Sequence, residues 1–461
     1  MTGAEMGVSP QRRALVVGLL LSVAAIAFEA IAVVTAMPAA ADDLGNLDLY
    51  AWAFTAMVIG QLFAIVAAGR ASDRFGPRAP LVVGFIVFAF GLVLAGAAPS
   101  MAVLVLGRFV QGLGGGTMNL AVMVVVARLF AGHARAVLMT WMSVAWMLPA
   151  FVGPVVAAWL ATTFSWHWVF FSVLPLMALG GGLILGPLLR AELAPVPREA
   201  DRTHGDVRVL ASGLLVAVGA ALLQLAGQQP GIVWVAVVGL GALVVGLPVL
   251  LPAGYRPGGS GLAATVNVRA LVTGAFFGAE TFLTLMLVRA EHLDLRDAGL
   301  VLTIGSIGWT AGSWLQSRRW LQLRRDRIIT VGAAATALGL AAVALAAWLP
   351  GQLLWAVMVG WVIGGFGMGL QVASTSLVVM ELSPPSDLGH NTSALQVGEA
   401  LGSSVVAGLA GTIFVLLNAD QNRAFGTLFV AMVAVAVIGL VFSLRIGVVR
   451  NHSVDNISTS R

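Results

Sequence analysis

Four charged side chains stand inside long apolar runs: Glu29, Glu280, Glu399 and Arg108. A carboxylate at the centre of a membrane helix costs about 2.5 to 3.5 kcal/mol on insertion scales, so such a group faces a partner or a water-filled cavity. Three acids and one base without a nucleophile can do little covalent chemistry. They can exchange protons and bind cations. Glu280 has no basic neighbour in its own run, and its counterpart of Arg108 in the second half of the chain is Trp361. Glu280 is therefore expected to exchange a proton the more readily, and Glu29 to be tuned by Arg108. Proton or cation coupling through Glu29, Glu280, Arg108 and Glu399 is the chemistry this pattern offers.

These residues must be positioned by helices. Of 461 residues, 59% are hydrophobic and only 10% charged, against about 25% charged in a soluble domain. Crossing hydrocarbon about 30 Å thick takes roughly 20 apolar residues as a helix, and only helices or closed barrels satisfy their own backbone there. Runs of that kind lie near 14–38, 50–69, 80–98, 101–129, 136–161 and 168–189, then 209–227 and 231–252, then 267–288, 298–316, 328–349, 352–380, 391–417 and 424–446. All are too long for barrel strands. The expected fold is an all-α polytopic membrane protein of 14 transmembrane helices. Its parts are a six-helix bundle over 14–190, a cytoplasmic linker over 191–208, an inserted hairpin over 209–252 turning at Gln228, Gln229 and Pro230, a linker over 253–266 and a second six-helix bundle over 267–447.

Basic residues accumulate in cytoplasmic loops. With the amino terminus inside, the inner segments hold Arg12, Arg13, Arg70, Arg74, Arg78, Arg318, Arg319, Arg324, Arg325 and Arg327, while the outer loops hold only Arg289, Arg296 and Arg423. Both termini are expected in the cytoplasm. The first run is about twice the length of a leader's apolar segment and carries Glu29, so it is expected to be a retained helix. At 1.5 Å per residue, Glu29 lies roughly 14 Å inside the outer end of the first run and Arg108 about 10 Å inside that of the fourth. They can share a depth. On the same scale Glu280 lies about 12 Å from the outer end of the ninth run, and Glu399 about 12 Å from the inner end of the thirteenth.

The halves repeat. Gly107, Gly112, Gly114 and Gly116 of the fourth run recur at identical spacing as Gly360, Gly365, Gly367 and Gly369, and Phe28-Glu29-Ala30 recurs as Ala279-Glu280-Thr281. Small residues let helix backbones approach closely, which accounts for the glycines. It does not account for a carboxylate at the same register in both halves, and repeated halves are a common plan of transporter folds.

Several chemistries are excluded. The chain has no Cys, which removes disulfides, thiol catalysis and Cys-ligated metals. All 25 basic residues are Arg, which removes a lysine Schiff base and the P-loop lysine. His133, His167, His204, His292, His390 and His452 are dispersed, with no metal-binding pair. An enzyme, a metal centre and nucleic-acid binding are not expected.

The motifs then point to a family. Gly69-Arg70-Ala-Ser-Asp73-Arg74-Phe-Gly76-Pro-Arg78 resembles the signature loop of the major facilitator superfamily. Leu106-Gly-Arg108-Phe-Val-Gln111-Gly112 resembles the helix 4 motif of its drug/proton antiporters, and Pro149-Ala-Phe-Val-Gly153-Pro154 resembles their helix 5 antiporter motif. Trp166-His167-Trp168-Val169-Phe170 is similar to the segment that opens their helix 6. With fourteen runs, the resemblance is to the fourteen-helix branch. It implies a proton-coupled multidrug efflux antiporter that exports lipophilic, cationic compounds by alternating access, as a monomer in the bacterial cytoplasmic membrane. Its partners are then a small-molecule substrate, protons and the lipid bilayer, and its only energy source is the proton gradient, with no cofactor. A transporter of a specific metabolite or lipid-like compound, or a non-transporting sensor of the same fold, are the rival readings.

By the same resemblance Asp73 pairs with Arg groups and latches the halves in the outward-open state, and Gly69 and Gly76 permit the tight turn. Arg108 couples protonation to the conformational change, and Gly153 and Pro154 bend and close-pack helix 5. Trp52, Gln61, Asn119, Trp146, Met147, Gln371 and Gln396 are candidates to line a substrate cavity, where Trp faces can meet a cation. The second half departs from the pattern: the loop Gln316–Arg327 has Leu321 where the repeat would place Asp73.

Overall fold

The computed structural model describes residues 10–130, 132–190, 203–228, 232, 234–316, 323–349, 351–384, 387–417 and 419–449. They fold into helices α1 (Pro10–Leu44), α2 (Trp52–Phe75), α3 (Arg78–Gly96), α4 (Met101–Leu129), α5 (Gly132–Thr163), α6 (His167–Phe171), α7 (Val173–Arg190), α8 (Thr203–Gln228), α9 (Trp234–Leu250), α10 (Leu262–Arg289), α11 (Leu295–Gln316), α12 (Arg325–Trp348), α13 (Leu354–Leu382), α14 (Leu388–Leu417) and α15 (Gln421–Ser443). Among the described residues no strand occurs. Helix α6 and helix α7 together make one span, His167–Leu188, and among the described residues 13 helical segments are long and apolar enough to cross a membrane. The fourteenth expected span, α9, is a 17-residue apolar helix. Several helices overrun the apolar stretches that announce them. Helix α1 continues past Pro38 to Leu44 through Ala39, Ala40 and Ala41, because alanine favours a helix wherever it stands. Helix α8 starts at Thr203, ahead of the expected 209. Gln229, Pro230 and linker residues 191–202 lie outside the described residues.

The chain divides into two compact units, Met1–Ala217 and Val218–Arg461, with the division inside α8. Within the first, α4 packs on α2 and α3, and α1 packs on α5 and α7. Within the second, α13 packs on α11 and α12, and α10 packs on α14 and α15. The same neighbour pattern therefore recurs, and the repeated glycines explain how. A side chain on Gly112 would run into the Met57 carbonyl of α2, and one on Gly365 into the Gly305 carbonyl of α11. Gly114 lies on Phe88 of α3 as Gly367 lies on Gly332 of α12, and Gly107 on Ala95 of α3 as Gly360 on Gly339 of α12. Gly116 meets Gln61 of α2 and Gly369 meets Trp309 of α11. Each glycine marks a point where two backbones touch, the close approach small residues allow in membrane bundles.

The ends of the helices are tied by polar contacts. Arg12 donates to the Leu129 carbonyl at 3.1 Å and lies over the Phe130 ring at 4.9 Å, joining the start of α1 to the end of α4. Trp166 Nε1 donates to Asp43 Oδ2 at 2.9 Å, joining the turn before α6 to the end of α1. In the second unit Tyr255 donates to Asn267 Oδ1 at 2.5 Å, and Asn267 donates to the Pro257 carbonyl at 2.7 Å. Burial pushes the Tyr255 phenol above its ordinary value, because removing the phenolate from water disfavours it.

A methyl group added at Gly112 must displace backbone, whereas Gly182 of α7 has nothing within 4 Å of an added Cβ. Gly112→Ala is expected to lower the melting temperature in detergent by the equivalent of about 1 to 3 kcal/mol. Gly182→Ala is expected to leave it unchanged or to raise it by up to about 1 kcal/mol.

Candidate functional site: buried charges in each helical unit

In the first unit Glu29 of α1 meets Arg108 of α4. Both side chains are closed off, at 0% and 3% exposure. Arg108 Nη1 donates to Glu29 Oε1 and, at 3.1 Å, to Gln111 Oε1, while its Nε donates to the Ala53 carbonyl of α2 at 2.8 Å. Gln111 Nε2 returns a hydrogen bond to Glu29 Oε1 at 3.3 Å. Arg108 and Gln111 stand three residues apart on one face of α4, which is why the motif can offer both to a single carboxylate. Glu29 Oε2 is buried with no hydrogen-bond partner among the described residues. The expected proximity of Glu29 and Arg108 is thus found, and Gln111 joins it as a third member.

Helix α5 closes this site from the side. Gly153 is buried, and a Cβ there would stand 3.4 Å from Ile31 and 3.7 Å from Phe28, the residue before Glu29. Pro149 and Pro154 both lie inside α5, each removing a backbone hydrogen bond.

The second unit repeats the carboxylate and changes its surroundings. Glu280 on α10 is half-buried and has no hydrogen bond among the described residues. One turn before it, Phe276 stacks on Trp361 at 4.4 Å and meets Trp309 edge-on at 5.9 Å, and Phe277 lies 6.2 Å from Trp309. Where the first half places Arg108, the second places an aromatic cluster. Sequence reasoning missed the base of this unit. Arg269, in the second turn of α10, donates through Nη2 to Glu399 Oε2 at 2.8 Å, and through Nη1 to the Val372 carbonyl at 2.5 Å and to Thr375 Oγ1 at 3.0 Å. Its place near the end of an apolar run makes it look like a loop arginine. Its eleven-residue separation from Glu280, about three helical turns, was the available signal that both lie on one face of α10.

The remaining expected residues are placed as follows. Gly76 ends α2 at φ 77°, a left-handed conformation that favours glycine. Gly69, expected in the same turn, instead lies inside α2 against Leu120 of α4, because the helix runs on to Phe75. Arg70 is half-buried, and Arg78 is exposed as the first residue of α3. Asp73 and Arg74 belong to the last turn of α2, and their side chains lie outside the described residues. Of the cavity candidates, Trp146, Met147 and Gln396 are exposed, and Trp52, Gln61 and Asn119 are half-buried. Gln371 departs from expectation: it is fully buried within the second unit, donating to Thr273 Oγ1 at 3.2 Å, because the glycine contacts of α13 draw it against Gly332 of α12. Among the described residues no cluster of His, Asp and Glu could hold a metal ion.

A buried pair costs most when one partner is removed, about 3 to 5 kcal/mol, and much less when both become apolar. Arg108→Leu is expected to lower thermal stability in detergent sharply. The double variant Arg108→Leu with Glu29→Leu is expected to recover most of that loss.

Comparison with known proteins bears on what such a bundle is. The family model described as Major Facilitator Superfamily matches residues 19–353. The Multidrug transporter protein MdtP of Bacillus subtilis is 33% identical over 175 residues, 38% of this chain and 32% of that protein, so the chain spans about a third of its length in the match. A Mycobacterium tuberculosis protein named "Probable multidrug-efflux transporter" is 25% identical over 444 residues, 89% of each chain. A crystal structure of a POT family transporter in complex with 5-aminolevulinic acid superposes with a TM-score of 0.70 at 16% identity, covering 94% of this chain and 96% of that one. The repeated helix pattern, the glycine contacts and the family match agree: this chain belongs to the Major Facilitator Superfamily.

Proposed function

We propose that this protein is a proton-coupled antiporter that exports lipophilic, cationic small molecules by alternating access. The observation that carries the reading is Glu280, a half-buried acid without a hydrogen bond among the described residues, one turn from the aromatic cluster of Phe276, Phe277, Trp309 and Trp361. A carboxylate one turn from aromatic rings, of which Phe277 and Trp309 are partly exposed, suits a cation with apolar substituents. The names of the relatives, multidrug transporters of Bacillus subtilis and Mycobacterium tuberculosis, support the same substrate class.

Glu29 supplies the second proton site in this reading. Its Oε1 is held by Arg108 and Gln111 while Oε2 is bare, so a proton can add to Oε2 without first breaking a hydrogen bond. Arg108, bonded to Ala53 of α2 as well as to Glu29 of α1, then passes the change to neighbouring helices. Gly76, Arg70, Asp73, Arg74 and Arg78 form the latch at the end of α2, and exposed Trp146, Met147 and Gln396 contribute to the substrate path. The protein works as a monomer in a bacterial cytoplasmic membrane with both termini inside, needs no cofactor and has no enzymatic activity.

A proton moving inward gains about 2.3 kcal/mol per 100 mV. One proton exchanged for one monovalent cation moves no net charge and leaves only the pH gradient to drive export. Two protons, one on each of Glu29 and Glu280, add the voltage.

Dye efflux in a pump-deficient host is expected to fall to background with Glu280→Gln and with Glu29→Gln. Full efflux by both variants would overturn the proton-exchange reading, and absence of efflux by the unaltered protein toward any cationic dye would favour a specific-metabolite transporter. In vesicles with a fixed pH gradient, an imposed voltage is expected to accelerate export, and equal rates with and without it would exclude two protons per cation.

A further inference from the structure

The Glu29–Arg108 and Glu399–Arg269 ion pairs differ in one respect that decides what each can do. The Glu29 and Arg108 side chains are 0% and 3% exposed, whereas those of Glu399 and Arg269 are 28% and 9% exposed. Arg269 ties three helices at once: α10, which carries it, α14 through Glu399, and α13 through the Val372 carbonyl and Thr375 Oγ1. Glu399 spends one oxygen on Arg269, and its other oxygen has no hydrogen bond among the described residues.

We propose that Arg269 and Glu399 form a clasp that opens when Glu399 takes up a proton, freeing α14 from α10 and α13, with Arg269 as the positioning residue that remains on α13. The geometry makes opening inexpensive on the arginine side. When Glu399 leaves, both Nη1 bonds to α13 persist, so the guanidinium keeps acceptors at hydrogen-bond distance, as a buried cation requires. Water reaches Glu399 through its exposed part, which the closed Glu29 pair does not allow. The acid is the accessible partner of the pair and the base the buried one, so a proton from water reaches the pair at Glu399.

Helix α10, packed on α14, carries two further charges, Glu280 eleven residues beyond Arg269 and Arg289 as its last residue, and the turns of α8 that meet Gly408 and Thr412 carry none. Helix α9 has no titratable residue, and the sole charge of α15, Arg423, stands in its first turn. On α13 the nearest is Glu381, six residues beyond Thr375, and on α14 itself it is His390, nine residues before Glu399. Arg269 is thus the partner that holds α14 here. The proposal rests on the reading of the protein as a proton-exchanging transporter, and adds to it a moving part inside the second unit.

The absence of Cys makes the test direct. Spin labels on Ser393→Cys of α14 and Leu377→Cys of α13, both exposed positions, report the spacing of these helices in the purified full-length chain in nanodiscs. From about pH 8 to about pH 4, the range that brackets carboxylate titration, the label distance is expected to shift toward a wider population. Glu399→Gln, nearly isosteric, is expected to hold the wide population at every pH. Glu399→Asp, which keeps a carboxylate, is expected to retain the pH-dependent shift that Glu399→Gln abolishes, which a merely structural role of the residue would not produce. A distance that ignores pH, or a Glu399→Gln profile identical to the unaltered one, would overturn the clasp. Should α14 stay still while Glu29→Gln and Glu280→Gln abolish dye efflux, the clasp fails and the export reading survives. Should α14 move in a chain that exports no dye, the reverse holds.

Discussion

A charge cannot stand alone in hydrocarbon, and the interior of this protein is arranged around that constraint. Glu29 and Arg108 satisfy it together: the guanidinium reaches the carboxylate, the Gln111 amide and the Ala53 carbonyl from a single side chain. To make those bonds, α1, α2 and α4 must lie close enough that no bulky side chain intervenes. Gly112 and Gly116 of α4, seated on the backbone of α2, provide that approach, and Gly153 of α5 closes the remaining side. The glycine motif and the charged motif are two aspects of one packing problem. Loosening the first would leave the second without partners, and an unpaired buried charge is far more costly than a paired one.

The second unit solves the same problem differently. Its glycines reproduce the contacts of the first half, α13 on α11 and α12, at each of the four repeated positions. The position equivalent to Arg108 is Trp361, and its ring stacks on Phe276. Without a base at that position, the second unit leaves Glu280 without a tether, and its arginine stands three turns before Glu280 on α10, where Arg269 meets Glu399. The glycine contacts are common to both halves as a packing device, while the charges are placed differently. One half keeps a sealed pair, and the other separates a free carboxylate from an accessible pair.

Much of this was legible in the residues. Helix number and type followed from apolar runs, because hydrocarbon permits a segment no other way to satisfy its backbone. The meeting of Glu29 with Arg108 followed from similar depths and from the expense of leaving either unpaired. What escaped was Arg269, whose position near a run's end is equally that of a loop residue. Gln371 escaped too: its polarity suggested a cavity, and burial against Gly332 and Thr273 made it an internal cross-link. The place of Gly69 was not legible either, since the motif that resembles a loop contains the last two turns of α2.

The amino-acid sequence alone determined that the chain crosses a membrane in helices, that its halves repeat, and which acids had to find partners or water, since each of these follows from composition and spacing along one helix at a time. Only the tertiary structure decided which partner each acid took. Pairing across helices depends on rotation and lateral approach, which apolar periodicity in a uniformly apolar helix does not encode. Glu29, Glu280 and Glu399 look alike as letters, and they end as a sealed ion pair, an untethered carboxyl and a half-buried clasp because their neighbouring helices present Arg108, an aromatic cluster and Arg269 to them.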